Sequence, residues 1–141
     1  MIKPPRGSPG FAVRCMMARF LVHCHSTGRK HLDLRLVQDD LVRSWSLLKP
    51  PPERMGERRL AVERKVSHLE EVCRPVIEEE AFGAGKARLW DGGEVAIDDG
   101  IPDRLILVFE GTKMTGNYEM RRMRWYPGNR WLIEKSGADG I

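Results

Sequence analysis

Three of the four histidines in this chain lie within nine residues, and an aspartate and an arginine follow them. The last of the three opens the run HLDLRL at residues 31–36. Alternate residues of an extended strand share one face, so His31, Asp33 and Arg35 project together while the leucines point into a core. The sequence therefore predicts a strand with imidazole, carboxylate and guanidinium groups on its polar side.

These residue types are suited to a divalent metal and a phosphate. We expect His25, His31 and Asp33 to form a three-ligand site with open positions, as catalytic metal sites do. The loop at residues 26–30 is expected to turn His25 back toward this face. A ligand set without a thiolate favours Mn²⁺, and other divalent transition metals, including Fe²⁺, Zn²⁺ and Co²⁺, are alternatives. Arg35 lies about 7 Å beyond Asp33 along the strand, where it could hold a phosphate oxygen.

Other interpretations of the same residues stay open. An alternating HxDxR strand is also typical of an ordinary solvated face. His23 is either a fourth ligand or a substrate contact. Cys24 lies on the opposite side of an extended strand and is expected to be a buried thiol. The three cysteines are odd in number and lack CxxC spacing, which disfavours a disulfide framework or a structural zinc knuckle.

Short segments rich in β-branched and apolar residues recur between turn signals along most of the chain. Hairpin turns are expected at Asp39-Asp40 and at residues 91–93, an extended loop at 49–52, a loop at 127–129, and at most one helical turn at 67–71. The pattern predicts a small all-β barrel with a polar groove and minimal helix. The candidate strands are residues 19–23, 31–38, 41–48, 60–65, 87–90, 94–97, 104–109, 116–123 and 131–134.

The chain has 141 residues, which fits one domain. We expect a flexible N-terminal arm at residues 1–18, a barrel domain at 19–136 and a tail at 137–141. The net charge of +4 hides a basic start, since residues 1–36 hold seven basic residues and one acidic residue. No apolar stretch is long enough to cross a bilayer, and the N-terminus does not resemble a signal peptide. We expect a cytoplasmic protein with no membrane contact.

Two strings of residues point to a known family. RFLVHCHSTGRKHLDLRL at residues 19–36, followed by SWSLLKPPP at 44–52, resembles the 3′-phosphoesterase domain of bacterial DNA ligase D and its free-standing archaeal relatives. That family's signature is H, five residues, H-x-D-x-R, then SWxxPKGP. The resemblance covers residues 19–135 in order. It continues through LAVERKVSH, FGAGKARLWDGG, LILVFEGTKMTGNYEMRRM and WLIEK.

The resemblance implies a small β barrel with a Mn²⁺-dependent site that processes 3′ ends in nucleic-acid repair. Such enzymes remove a 3′-terminal ribonucleoside to leave a 3′-phosphate, and then remove that phosphate to leave a 3′-hydroxyl. Carried over by motif, His25, His31 and Asp33 bind the metal, and Arg35 and His68 contact the scissile phosphate. His68 would protonate the departing oxygen or stabilise the transition state. We expect a monomer that acts on nucleic-acid 3′ ends, with a separate DNA ligase.

Four departures from the family's pattern affect substrate contacts, not the metal ligands. One is the N-terminal arm, which lacks the acidic and basic residues that family members use there. Val72 stands where the family has Tyr, His23 stands where it has Gln, and residues 77–85 read IEEEAFGAG where it has IPxGxYGAG. The phosphodiesterase step is the one that these changes put in question. Two other functions therefore stay open: a degenerate, non-catalytic nucleic-acid-binding member of the family, and a zinc-binding structural or interaction module.

Overall fold

The computed structural model of the chain describes residues 15–25, 30–65, 76–78, 86–125 and 127–137. Within these ranges the regular elements are all strands, as the turn spacing predicts. Among the described residues no helix is long and apolar enough to cross a membrane. The strands are β1 (Cys15–His25), β2 (His31–Gln38), β3 (Leu41–Leu47), β4 (Arg58–Arg64), β5 (Val76–Glu78), β6 (Lys86–Asp98), β7 (Arg104–Glu110), β8 (Thr115–Arg122) and β9 (Arg130–Lys135).

Eight of the strands close into an antiparallel barrel. Their order is β1-β2-β3-β4-β9-β8-β7-β6, and β6 pairs back to β1. The short strand β5 pairs with β6 at residues 86–88, beyond the part of β6 that pairs with β7. Closure leaves the eight barrel strands with partners on both sides, which removes exposed sheet edges. The predicted small all-β barrel is confirmed.

Apolar side chains fill the barrel interior, because every second residue of each strand points inward. Phe20 and Phe109 meet edge to face, with ring centroids 4.7 Å apart. Trp45 and Trp131 make a second such pair at 5.7 Å. Each aromatic pair adds about 0.5–1.5 kcal/mol beyond the burial of its rings. The centre of the barrel is thus a packed core, which leaves the outer face for polar chemistry.

The loop at residues 49–52 is irregular, as expected, and it is tied to the core. Pro51 and Pro52 are buried. The hydroxyl of Tyr118 donates to the carbonyl oxygen of Pro52 at 2.6 Å. Burial raises the pKa of Tyr118 to about 12, so the phenol keeps its proton and this hydrogen bond across the neutral range.

The hairpin turn predicted at residues 91–93 is wrong. These residues lie inside β6, which is one continuous strand. The carboxylate of Asp91 accepts backbone N–H groups from Thr112 and Met114, on the neighbouring β7–β8 turn, at 2.9 and 2.7 Å. A Cβ on Gly93 would lie 2.4 Å from the carbonyl oxygen of Glu110. Asp91 therefore accepts hydrogen bonds from the β7–β8 turn, and Gly93 lets the backbone of β7 approach β6 closely, so neither residue forms a turn of its own.

The other turn predictions have mixed outcomes. Asp39 takes a positive φ of 52° in the β2–β3 hairpin, so that turn is confirmed. The loop at 127–129 is also present. β1 starts at Cys15, so residues 15–18 of the expected arm belong to a strand. The remainder of the arm and the candidate helical turn at 67–71 lie outside the described residues.

Candidate metal centre

The polar residues of β1 and β2 meet because of strand register. The two strands are antiparallel, and His25 lies opposite His31 while His23 lies opposite Asp33. Paired residues share a face, so these four side chains project together. His25 reaches the face of His31 and Asp33, as expected, and most of the loop that follows it lies outside the described residues. β1 runs two residues beyond the predicted end, and His25 reaches the face as its last residue.

His25, His31 and Asp33 form a compact ligand group. One ligand atom from each lies within 4.8 Å of the others. His25 Nε2 is 2.6 Å from Asp33 Oδ2, and His31 Nε2 is 3.7 Å from Asp33 Oδ1. The two imidazole rings stack with centroids 4.4 Å apart and planes 6° from parallel. Two imidazole nitrogens and a carboxylate are a donor set that fits a divalent transition metal.

Asp33 is the electrostatic centre of this group. Burial alone would raise the pKa of its carboxyl, but hydrogen bonds from His25 and Ser46 and the charge of Arg35 outweigh burial and lower it below the usual value. The Ser46 hydroxyl donates to Asp33 Oδ1 at 2.7 Å. The carboxylate therefore stays ionised at neutral pH, as a metal ligand must be.

Arg35 is held from two sides. Its Nη2 donates to Asp33 Oδ2 at 3.2 Å, and its Nη1 contacts His23 Nδ1 at 3.1 Å. Because a guanidinium only donates, His23 Nδ1 accepts, and its Nε2 carries the proton in the neutral ring. His23 is fully buried. The structure places His23 against Arg35 and outside the three-residue ligand group, an arrangement that fixes the direction of the guanidinium.

The sequence interpretation missed Ser44 and Ser46 as parts of this site. Both lie on β3, where Ser46 pairs with Asp33 and Ser44 pairs with Arg35. A signal for them is present in the string SWSL, because Trp45 and Leu47 alternate with the two serines and are buried in the core. Alternation marks the serines as outward-facing, but only the β2–β3 register shows which residues they meet.

A groove lined by Ser46 and by cationic side chains lies beside the ligand group. It has a volume of about 310 Å³. Leu48 and Leu60 contribute an apolar surface, and the basic residues Lys49, Arg58 and Arg59 line the groove. Such a groove suits the polyanionic backbone of a nucleic acid.

Two further site predictions concern Cys24 and His68. Cys24 is partly buried and packs against the hydrophobic core, on the opposite side of β1 from its histidine neighbours. His68, expected to contact the scissile phosphate, lies outside the described residues, so its role stays a prediction.

The fold and the site together define a small antiparallel β-barrel protein with a candidate His/His/Asp metal centre and an adjoining, fixed arginine. The family model of the DNA ligase D 3′-phosphoesterase domain matches residues 23–122, and the chain belongs to this family. The matched region runs from His23 in β1 to Arg122 at the end of β8, so it contains all of the candidate centre.

Curated relatives agree with the family match. The "Multifunctional non-homologous end joining protein LigD" of Mycobacterium bovis is 30% identical over 121 residues, which cover 82% of this chain. Proteins of the same printed name from Mycolicibacterium smegmatis and Pseudomonas aeruginosa are 28% and 29% identical, over 83% and 95% of this chain. The chain matches only 16% of the length of each of these relatives.

Proposed function

We propose that this protein is a metal-dependent 3′-end-processing phosphoesterase in DNA repair. It removes 3′-phosphates, and also 3′-terminal ribonucleosides, to leave a 3′-hydroxyl. The observation that carries the proposal is the ligand group of His25, His31 and Asp33 with Arg35 bound to its carboxylate. Membership of the 3′-phosphoesterase domain family supports the reaction class.

His25, His31 and Asp33 would hold the metal, for which Mn²⁺ is our first choice. When bound, the ion supplies positive charge to phosphate oxygens and lowers the pKa of a coordinated water. Asp33 contributes a carboxylate that is already ionised, and Ser46 fixes its orientation through a 2.7 Å hydrogen bond.

Arg35 neutralises the phosphate. A guanidinium binds phosphate oxygens through directed N–H groups. It stabilises the charge of the transition state more strongly when its direction is already fixed before the substrate binds. Contacts to Asp33 and His23 provide that restraint, and the side chain is only 12% exposed. Arg35 thus binds and orients the scissile group beside the ligand group.

The hydrolysis itself exchanges one P–O bond for another. In removal of a 3′-phosphate, a water oxygen bonds to phosphorus and releases a proton to solvent, the bond from phosphorus to the 3′-oxygen breaks, and the 3′-oxygen takes a proton. In removal of a 3′-terminal ribonucleoside, the same attack breaks the bond from phosphorus to the 5′-oxygen of that ribonucleoside, and this oxygen takes the proton. We assign the donation of that proton to His68, which follows the family's motif. The products of phosphate removal are inorganic phosphate and a 3′-hydroxyl end, and those of ribonucleoside removal are the free ribonucleoside and a 3′-phosphate end.

The proposed partners are nucleic-acid 3′ ends and a separate DNA ligase that would seal the hydroxyl end. The groove lined by Lys49, Arg58 and Arg59 supports nucleic-acid binding, because three cations face the same channel beside Ser46. We propose that the protein acts as a cytoplasmic monomer.

The test uses a primer–template whose primer ends in a 3′-phosphate or in a single ribonucleotide, with Mn²⁺ present. We expect the parent protein to convert both ends to 3′-hydroxyls. His31→Ala and Arg35→Lys should lower the rate at least 100-fold. The control Asp40→Asn changes an exposed acid in the β2–β3 turn and should act like the parent.

Two results would contradict the proposal. The first is a parent protein that processes neither end. The second is a His31→Ala variant that is as active as the parent. Salt-dependent binding of the primer–template that survives His31→Ala, without turnover, would identify a non-catalytic nucleic-acid-binding protein instead.

A further inference from the structure

A second surface adjoins the candidate metal centre on the β6 side. Its cavity of about 670 Å³ is lined by residues of β1, β6 and the β7–β8 turn. Leu21, Leu89 and Gly92 line one side of this cavity, and we call the surface that they form the ledge. Leu21 lies opposite Arg35, and Leu89 lies opposite His23, so the ledge continues the outer face that carries the centre.

A β-bulge in the pairing of β1 with β6 creates the ledge. Val22 pairs with Asp91 and His23 pairs with Leu89, so Trp90 is an extra residue on β6. In a regular strand Leu89 and Asp91 would point to the same side. The extra residue lets Leu89 stay outside, 43% exposed, while Asp91 turns in and is buried.

Asp91 holds the β7–β8 turn, which lines the cavity, by hydrogen bonds. Its carboxylate accepts the backbone N–H groups of Gly92, Thr112, Lys113 and Met114 at 2.7–2.9 Å. These four donors compensate its charge and fix the turn that carries Lys113. The Lys113 ammonium is thereby placed 4.4 Å from the ring centroid of Trp90.

The residue of the ledge between Leu21 and Leu89 is a glycine, Gly92. A Cβ there would lie 3.3 Å from the Phe20 carbonyl oxygen, 3.5 Å from Leu21 Cδ2 and 3.8 Å from Leu89 Cδ1. A larger side chain would therefore crowd this surface, where Leu89 is 43% exposed and Leu21 is 7% exposed. Two cations, Lys113 and Arg19, lie at the edges, and Glu94 is the cross-strand neighbour of Arg19. An apolar surface between cations fits a nucleotide, whose base and sugar are flat and whose phosphate is anionic.

We propose that the ledge binds the nucleotide that precedes the 3′-terminal one. The terminal phosphate lies at Arg35, and Leu21 lies directly opposite Arg35 on β1. The preceding nucleotide then rests on the exposed side chain of Leu89, and Lys113 holds its phosphate. This inference rests on the proposed function, since it assumes that the strand end lies at the centre.

The first experiment measures binding alone. A hexanucleotide with a 3′-phosphate and a 5′-fluorophore is titrated with protein in EDTA, and anisotropy gives Kd. Leu89→Ser and Lys113→Ser should each weaken binding about tenfold. Leu41→Ser, a 72% exposed leucine in the β2–β3 hairpin, and Arg121→Ser, a 51% exposed arginine on β8, are matched controls that should bind like the parent.

The second experiment measures phosphate release with Mn²⁺ from the hexanucleotide and from a 3′-phosphorylated mononucleoside. The ledge variants should raise KM about tenfold for the hexanucleotide, leave its kcat unchanged, and leave both constants unchanged for the mononucleoside. A Leu89→Ser or Lys113→Ser variant that binds the hexanucleotide as tightly as the parent would overturn the proposal that the ledge binds a nucleotide. A parent protein that releases no phosphate would overturn the proposed function. The anisotropy measurement would still test whether the ledge binds a nucleotide.

Discussion

The barrel carries two polar outer faces that arise from the same strand alternation but differ in burial. The centre face comprises the polar residues of β1 to β3, where the side chains of Asp33 and Arg35 are 9% and 12% exposed. The ladder face crosses β4, β9, β8 and β7 with a chain of ion pairs. Arg58 and Arg121 on that face are 58% and 51% exposed.

The contacts on the ladder face are numerous but open to water. Arg58 pairs with Glu134 at 3.3 Å, Arg121 reaches both Glu134 and Glu119 at 3.6 Å, and Arg104 pairs with Glu119. Exposed pairs of this kind contribute about 0–1 kcal/mol each. Breaking a buried pair costs about 3–5 kcal/mol, because one charge is left without compensation. The two faces therefore differ in the burial of their charged groups and not in the number of charged contacts.

The largest expected effect is on the centre face. Asp33→Ala removes the partner shared by His25, Ser46 and Arg35, and it leaves a guanidinium that is mostly buried. We expect a loss of about 3–5 kcal/mol in the free energy of unfolding, together with loss of metal binding. Urea unfolding in EDTA measures the first, and calorimetry with Mn²⁺ measures the second. A loss below about 1 kcal/mol would show that the two faces do not differ.

Metal loading should stabilise only a protein with an intact centre face. Mn²⁺ at about 100 times its Kd adds about 2.7 kcal/mol to the free energy of unfolding, because it binds the folded state. His31→Ala should lose this gain, and Glu119→Gln on the ladder face should keep it. Thermal unfolding with and without Mn²⁺ makes the measurement. An equal gain in His31→Ala would place the metal elsewhere.

A smaller effect is expected from Ser46→Ala. This change deletes the hydrogen bond to Asp33 Oδ1 and should cost about 1.5–3 kcal/mol, the usual range for a bond to a charged group. It should also weaken Mn²⁺ binding about 10-fold to 100-fold, because Ser46 orients a ligand. Ser44→Ala, at a buried serine of the same strand for which no hydrogen bond to Asp33 is found, is the control. Equal effects on Mn²⁺ affinity from both serines would contradict the assignment.

The smallest effect belongs to the ladder face. Glu134→Gln breaks two exposed ion pairs, with Arg58 and Arg121, and should cost less than about 1 kcal/mol. The cost should fall further as salt is added, because exposed charges are screened. Urea unfolding at low and high salt checks this. A salt-independent loss above about 2 kcal/mol would show that the ladder face is as tightly coupled as the centre face.

Much of the fold was accessible from local patterns. The β2 and β3 ranges, the 39–40 turn and the closed all-β architecture follow from period-two alternation and turn residues. The error at residues 91–93 has a physical cause. An Asp-Gly-Gly string can form a turn itself, or its aspartate can accept hydrogen bonds from the backbone of a neighbouring turn. Which of the two occurs depends on where the β7–β8 turn lies.

Part of the candidate site also follows from local sequence patterns, and the rest depends on the tertiary structure. The period of HLDLRL alone places His31, Asp33 and Arg35 on one face of a strand, and the histidine content alone makes that face suited to a metal. These conclusions need no contact between distant residues, because a strand's alternation is local. The family, too, is readable from the order of the motifs.

Only the tertiary structure decides which residues surround that face. Antiparallel register brings His25 opposite His31 and Ser46 opposite Asp33, and a single extra residue in β6 separates Leu89 from Asp91. Sequence alternation does not specify register, because sliding one strand past its neighbour by two residues preserves every inward and outward direction. Barrel closure removes that freedom, and so it determines the composition and the burial of the site.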